Sequence, residues 1–223
     1  MERALVTGAN SEIGVAICKC LLENNYEVIA CCHQNYERIE KIVNPNLQIK
    51  TLNLKKEEEI IKLSAHLEVD VLINVAAVYF DCDFKVKEKS DFMECFEVNV
   101  VAPFLLAKHL VIRKNIINIS STDGIDTYNV ISMDYCASKA ALNNLTKTLS
   151  LALPEVNVTA LALGWVKTSN EINEDYLQQE MQRANQEELI EIDLIVEYMM
   201  KILQNHYKSG SIVRIDGVEE NVY

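Results

Sequence analysis

Basic residues are scarce in this chain: 21 Lys and Arg stand against 33 Asp and Glu in 223 residues, a formal charge of −12. That balance leaves no basic surface for a nucleic-acid backbone or an anionic bilayer, so neither is an expected partner. Glycine (6) and proline (3) are also few, and there is no credible linker, low-complexity tract or internal repeat. No apolar run reaches the roughly 18 residues that span a bilayer. The longest candidate, "VLINVAAVYF" (71–80), reads as a buried strand and its exit loop. The N-terminal "MERALVTG" lacks the charged start and long apolar stretch of a signal peptide, and the expected location is cytoplasmic. Seven cysteines (18, 20, 31, 32, 82, 95, 136) include no CxxC spacing. Cys31 and Cys32 adjoin in an apparent strand and so face opposite ways, and reduced thiols are the expectation. The four histidines (33, 66, 109, 206) are scattered, with no two at ligand spacing, and no metal site is expected.

What is present is alternation. Apolar runs at 3–8, 27–32, 47–54, 69–77, 115–120, 156–163 and 211–216 read as strands. Between them, 15–25, 37–43, 56–67, 91–110 and about 134–153 read as helices, and 171–205 is a charged helical region. Several strands are nearly continuous apolar runs, which is the mark of a parallel sheet covered on both faces. The expected fold is a single α/β domain over 1–223, a Rossmann-type doubly wound parallel sheet. Ligands of such sheets sit outside the carboxyl ends of the strands. "TGANSEIG" (7–14) follows the first strand there and opens the first helix. Its glycines permit a tight turn, and the free N–H groups of the helix N-terminus suit a pyrophosphate.

"DYCASKAALNNL" (134–145) places Tyr135 four residues before Lys139, one helical turn apart on one face. An ammonium beside a phenol favours the phenolate and lowers its pKa toward neutrality, the tuning expected of a proton donor in carbonyl or alcohol chemistry. With nine tyrosines in the chain, that spacing alone is weak evidence. The set is not: "TGANSEIG", "NVAA", Asn99, "NISS", "YCASK" and "LGWVKT" follow one another in order.

Together these motifs resemble the short-chain dehydrogenase/reductase family over essentially the whole chain, and most nearly its 3-oxoacyl-carrier-protein reductases. The resemblance implies a catalytic tetrad of Asn99, Ser121, Tyr135 and Lys139. Tyr135 would be the general acid, Lys139 would tune it and hold the nicotinamide ribose, Ser121 would hydrogen-bond the substrate oxygen, and Asn99 would hold a water leading to solvent. Ser120 is the rival for the serine role. It further implies cofactor contacts from Gly8, Asn10, Ser11, Ile13 and Gly14 in the glycine turn and from His33 after the second strand. Asn53 and Leu54 would lie at the adenine, Asn74 and Ala76 on the adenosine side, and Gly164, Val166 and Thr168 would flank the nicotinamide.

Departures from the family pattern fall at Glu12, in place of the turn's central glycine, and at Val75, Ala77 and Leu163. Glu12 is expected to turn its carboxylate to solvent at the helix N-terminus, away from the phosphates. Cys32 stands where NAD users place a carboxylate for the ribose 2′-hydroxyl, so NADP(H) is favoured over NAD(H). The expected reaction is NADP(H)-dependent reduction of a ketone or aldehyde, with a 3-oxoacyl compound among the candidates. The alternatives are an NAD-dependent alcohol or sugar dehydrogenase and a catalytically idle dinucleotide-binding regulator. A basic docking site for an acidic carrier has only Arg113 and Lys114 to draw on, so a free small carbonyl compound is at least as good a substrate. A homo-oligomer, dimer or tetramer, is expected, with small Ala137, Ala140 and Ala141 on the catalytic helix allowing close approach of a second copy.

Overall fold

The structure, a computed structural model, describes residues 1–169, 172–217 and 221–222. The strands are β1 (Glu2–Thr7), β2 (Tyr26–Cys32), β3 (Leu47–Thr51), β4 (Glu68–Asn74), β5 (Val111–Ser121), β6 (Asn157–Leu163), β7 (Ile212–Ile215) and β8 (Asn221–Val222). They form one sheet in the order β3-β2-β1-β4-β5-β6-β7-β8. The first seven run parallel, and β8, which the sequence reading did not anticipate, pairs antiparallel to β7.

The helices are α1 (Glu12–Glu23), α2 (Glu57–Ser64), α3 (Lys89–Phe96), α4 (Ala102–His109), α5 (Met133–Ala152), α6 (Glu174–Arg183) and α7 (Ile192–Leu203). Because side chains alternate along a strand, each strand feeds two cores. Ala4 and Val6 of β1 with Val71 and Ile73 of β4 pack under Ile17 and Leu21 of α1 and Ile195, Met199 and Ile202 of α7. Leu5 and Leu72 pack on the opposite face, against Ile60 of α2 and Leu105 and Leu106 of α4. Cys32 joins the first core and Cys31 the second, as their adjacency requires.

One expectation needs correction. Residues 37–43 form no α-helix, only a 3₁₀ turn at Ile39–Lys41. The Asn10 side-chain oxygen accepts the backbone N–H groups of Arg38 and Ile39, at 2.9 and 3.0 Å, and Pro45 ends any continuation. The charged helical region 171–205 holds two helices, α6 and α7, separated by Asn185 in the left-handed conformation (φ 53°). Residue 171, at the head of that region, lies outside the described residues, as does residue 170 before it.

The order of strands reverses between β1 and β4. Connections leave their carboxyl ends toward opposite faces there, opening a crevice above the sheet.

Candidate active site

The long helical stretch after β4 is interrupted by a π-helical turn at Glu97–Val101, an irregularity often found at functional sites. Asn99 sits in this turn with no exposure. Its side-chain oxygen accepts the Val78 N–H at 2.9 Å, and its amide donates to the Val78 carbonyl and the Ser138 hydroxyl, both at 2.9 Å. Asn99 therefore pins the exit of β4 to α5, and both of its amide hydrogens are engaged. Asn74, at the end of β4, donates to Asn118 at 2.8 Å, and Asn118 donates to Thr146 of α5 at 2.9 Å. These buried bridges fix α5 against the sheet.

On α5, Tyr135 and Lys139 stack as their spacing demands, with the ammonium 5.3 Å from the phenol ring centroid. Alternation at the end of β5 separates the two serines. Ser120 turns toward the Lys139 carbonyl at 3.5 Å, while Ser121 hydrogen-bonds the Tyr135 phenol and accepts the Asp123 N–H at 3.1 Å. The expected lowering of the phenol pKa by Lys139 is not what the structure shows. Burial pushes the Tyr135 pKa well up, and the neighbouring Asp123 carboxylate adds to it, while Ser121 pulls weakly the other way. Burial also lowers Lys139 from 10.5 to about 8, and its ammonium donates to the Ile119 carbonyl at 2.7 Å. Desolvation outweighs the mutual attraction of ammonium and phenolate. Asp123 is itself raised by burial.

A cleft of about 700 Å³ runs across the carboxyl ends of the strands. Gly8, Asn10, Ser11, Ile13, His33, Asn53, Leu54, Ala76, Ser121, Tyr135, Lys139, Gly164, Val166 and Thr168 all line it. Gly14, Asn74 and Asn99 lie behind its wall. Gly8 has φ 62°, and a Cβ there would lie 2.6 Å from the Ala76 nitrogen. A Cβ on Gly14 would lie 2.4 Å from the Gly8 carbonyl, so the turn closes only with glycine at both positions. Ser11 caps α1 by accepting the Gly14 N–H at 3.0 Å. A long cleft, a glycine-built turn and a helix N-terminus facing it together fit an elongated anionic dinucleotide.

Glu12 does not simply face solvent, which corrects the sequence expectation. Its carboxylate accepts the Ser169 N–H with both oxygens, at 3.0 and 3.1 Å, accepts the Ser169 hydroxyl, and pairs with Arg38 at 3.3 Å. The Ser169 hydroxyl is the main reason its carboxyl stays below the ordinary value despite burial, with the Ser169 N–H and Arg38 adding to the effect. Arg38 and Lys55 are cleft-lining cations that the sequence reading missed. Arg38 lies six residues beyond β2 in a segment read as helix, and no local pattern marks it. Between the cleft-lining Gly164 and Val166, Trp165 meets Tyr176 edge to face with centroids 6.3 Å apart, and Asn129 donates to the Tyr176 hydroxyl at 2.9 Å. Arg113 and Lys114 lie at the opposite end of β5 from Ser121, paired with Glu68 and Glu2.

Residues 2–180 match the family described as short chain dehydrogenase. The 3-oxoacyl-(acyl-carrier-protein) reductase FabG of Rickettsia prowazekii (strain Madrid E) is 34% identical over 187 residues, which cover 78% of this chain and 77% of that one. A structure of 4-hydroxyisoleucine dehydrogenase complexed with NADH is similar with a TM-score of 0.85 and 28% identity, covering 97% of this chain and 98% of that one. A dehydrogenase/reductase from Sinorhizobium meliloti 1021 gives a TM-score of 0.86 and 26% identity, over 97% and 94% of the two chains.

Proposed function

Since the chain belongs to the short-chain dehydrogenase family and is an NAD(P)-dependent oxidoreductase acting on CH–OH and C=O groups, we propose that it reduces a small ketone or aldehyde with NADP(H). The observation that carries this reading is the meeting of Ser121, Tyr135 and Lys139 at one end of a dinucleotide-sized cleft. The whole chain would act as one domain, in the cytoplasm and as a homo-oligomer.

The dinucleotide supplies the hydride. Ser121 and Tyr135 hold the substrate oxygen and stabilise the charge that develops on it. A phenol whose pKa burial and Asp123 hold up keeps its proton at neutral pH, so Tyr135 can donate it to the nascent alkoxide. Lys139 keeps the site positive, which favours the phenolate left behind, and its ammonium is the donor for ribose hydroxyls. Asn99 fixes the wall behind both residues, and with its amide hydrogens engaged it would hold a relay water only as an acceptor.

NADP(H) is supported by the absence of a carboxylate at Cys32 and by His33 and Arg38 on the same wall. The NAD-dependent alcohol or sugar dehydrogenase remains as a second reading, favoured by the carboxylate of Glu12 in the cleft and by the likeness to a dehydrogenase complexed with NADH. The relative named as a 3-oxoacyl-(acyl-carrier-protein) reductase makes 3-oxoacyl compounds the first substrates to try. Arg113 and Lys114, neutralised and at the far end of the sheet, offer no carrier-docking site beside the cleft, which supports a free substrate.

Titration of wild type and Tyr135→Phe with NADPH and NADH, followed by turnover on 3-oxoacyl and other small carbonyl compounds, tests both halves. Tighter NADPH binding by both proteins, with turnover lost at least 100-fold in the variant, is the expected result. Retained turnover in Tyr135→Phe would sink the acid assignment, and tighter NADH binding would sink the NADP reading.

A further inference from the structure

Glu12 and Ser169 are 157 positions apart in sequence, and the strands they follow are not neighbours. Between β1 and β6 lie β4 and β5, so at about 4.8 Å per strand the loop after β6 must cross roughly 14 Å to reach the glycine turn. Its course passes over the ends of the two strands that floor the cleft, and Val166 and Thr168 line that cleft on the way. The loop lands on a carboxylate that takes both of its available donors, the Ser169 N–H and hydroxyl. Arg38 then closes a triangle by donating to Glu12 at 3.3 Å and to the Ser169 hydroxyl at 3.2 Å, while Asn10 anchors the Arg38 backbone. Three loops, after β1, β2 and β6, are thus tied at one point on the rim.

We propose that Glu12 is a positioning residue that fastens the loop after β6 across the mouth of the dinucleotide cleft, with Arg38 as the counter-charge that keeps its carboxylate from opposing the bound phosphates. A carboxylate in a glycine turn is otherwise a poor choice, because it stands where anionic phosphates must approach. Held by two donors and a guanidinium, it becomes the catch of a strap. The strap must release for the dinucleotide to leave, so its main effect falls on dissociation.

This proposal rests on the dinucleotide-binding reading, and the tests separate the two. In the dinucleotide-free protein, Glu12→Ala is expected to speed hydrogen exchange at the Ser169 amide while the exchange of β1 and β4 stays as in wild type. With NADPH or NADH, stopped-flow fluorescence is expected to show dissociation about tenfold faster in Glu12→Ala, with a smaller change in association. Glu12→Gln, which keeps the shape and an acceptor oxygen, is expected to fall between the two. Arg38→Ala exposes the carboxylate and weakens dinucleotide binding, whereas Glu12→Ala added to it restores part of that loss, a non-additive pair. An unchanged Ser169 exchange rate, an unchanged dissociation rate or additive effects of Glu12 and Arg38 would overturn the proposal. Failure of wild type to bind either dinucleotide would overturn the functional reading instead, while the Ser169 exchange result would still report on the strap.

Discussion

Lys139 is the residue on which the site makes its largest demand. Its side chain is 2% exposed, and burial lowers its pKa from 10.5 to about 8. Between those values the unfolded chain binds a proton that the folded chain has released. The folded state therefore gains stability from this group as pH rises through that window. Below about pH 8 the full cost of burying the charge is present, on the order of 3 kcal/mol. Lys139→Met keeps the length and removes the charge. It is expected to raise the melting temperature of the dinucleotide-free protein at pH 7 by roughly 5 to 10 °C, with the advantage shrinking toward pH 10.5. Thermal melts of both proteins across pH 6–10 check it, and a gain that does not shrink with pH would mean that the ammonium is not desolvated. The same variant is expected to lose turnover, so the charge would be retained for chemistry at a cost in stability.

At the scale of elements, the loop between β4 and α3 is held to the start of α5 by a buried ion pair. Lys87 meets Asp134 at 2.8 Å, with side-chain exposures of 3% and 0%, and Cys95 donates to the same carboxylate at 3.2 Å. Burial opposes both charges, yet the pair and its hydrogen bonds prevail, raising the Lys87 pKa and lowering that of Asp134. Asp134 adjoins Tyr135, so this bridge sets where α5, the helix of Tyr135 and Lys139, begins. Lys87→Met would leave a buried carboxylate unpaired, at an expected cost of about 3–5 kcal/mol, and adding Asp134→Asn should recover much of it. Urea unfolding of the single and double variants measures both, and a loss below about 1 kcal/mol in the single variant would show that the pair contributes little. None of this was legible in the sequence, where Lys87 lies in a mixed charged stretch. The seven parallel strands were legible because each is an apolar run flanked by turns, and the ordered motifs marked Ser121, Tyr135 and Lys139. The misread helix at 37–43 had suitable periodicity, but Asn10, a residue from another loop, took its first N–H groups. Glu12 was misjudged for the same reason: its partners are 26 and 157 positions away. Local patterning carries elements and motifs, whereas contacts between loops depend on the sheet order that juxtaposes them.

At the scale of the whole molecule, the outer face formed by α4 and α5 remains uncovered by the described residues. Val101, Phe104 and Leu151 are exposed, and Ala137, Ala140 and Ala141 leave α5 without bulky side chains along part of its length. Exposed apolar side chains beside small ones, with Lys108, Asn144, Lys147 and Thr148 among them, allow two helices to approach closely. Placed on a two-fold axis, the face would meet its own copy, because an isologous contact needs only one self-complementary patch. A stable interface buries roughly 1,600 Å², so α4 and α5 would form its centre, with neighbouring loops contributing the rest. The expected assembly is therefore a dimer through this face or a tetramer built from such dimers. Light scattering at micromolar concentration is expected to give a multiple of the 25.3 kDa chain mass. Phe104→Glu, which charges the patch without entering either core, should reduce that multiple while leaving the far-ultraviolet circular dichroism unchanged. A wild-type species of single-chain mass would refute the assembly, and an unchanged mass in Phe104→Glu would move the contact to another face. Since α5 also carries Tyr135 and Lys139, a contact along its outer side would brace the helix that presents them, so lower turnover in dissociated Phe104→Glu is part of the same expectation.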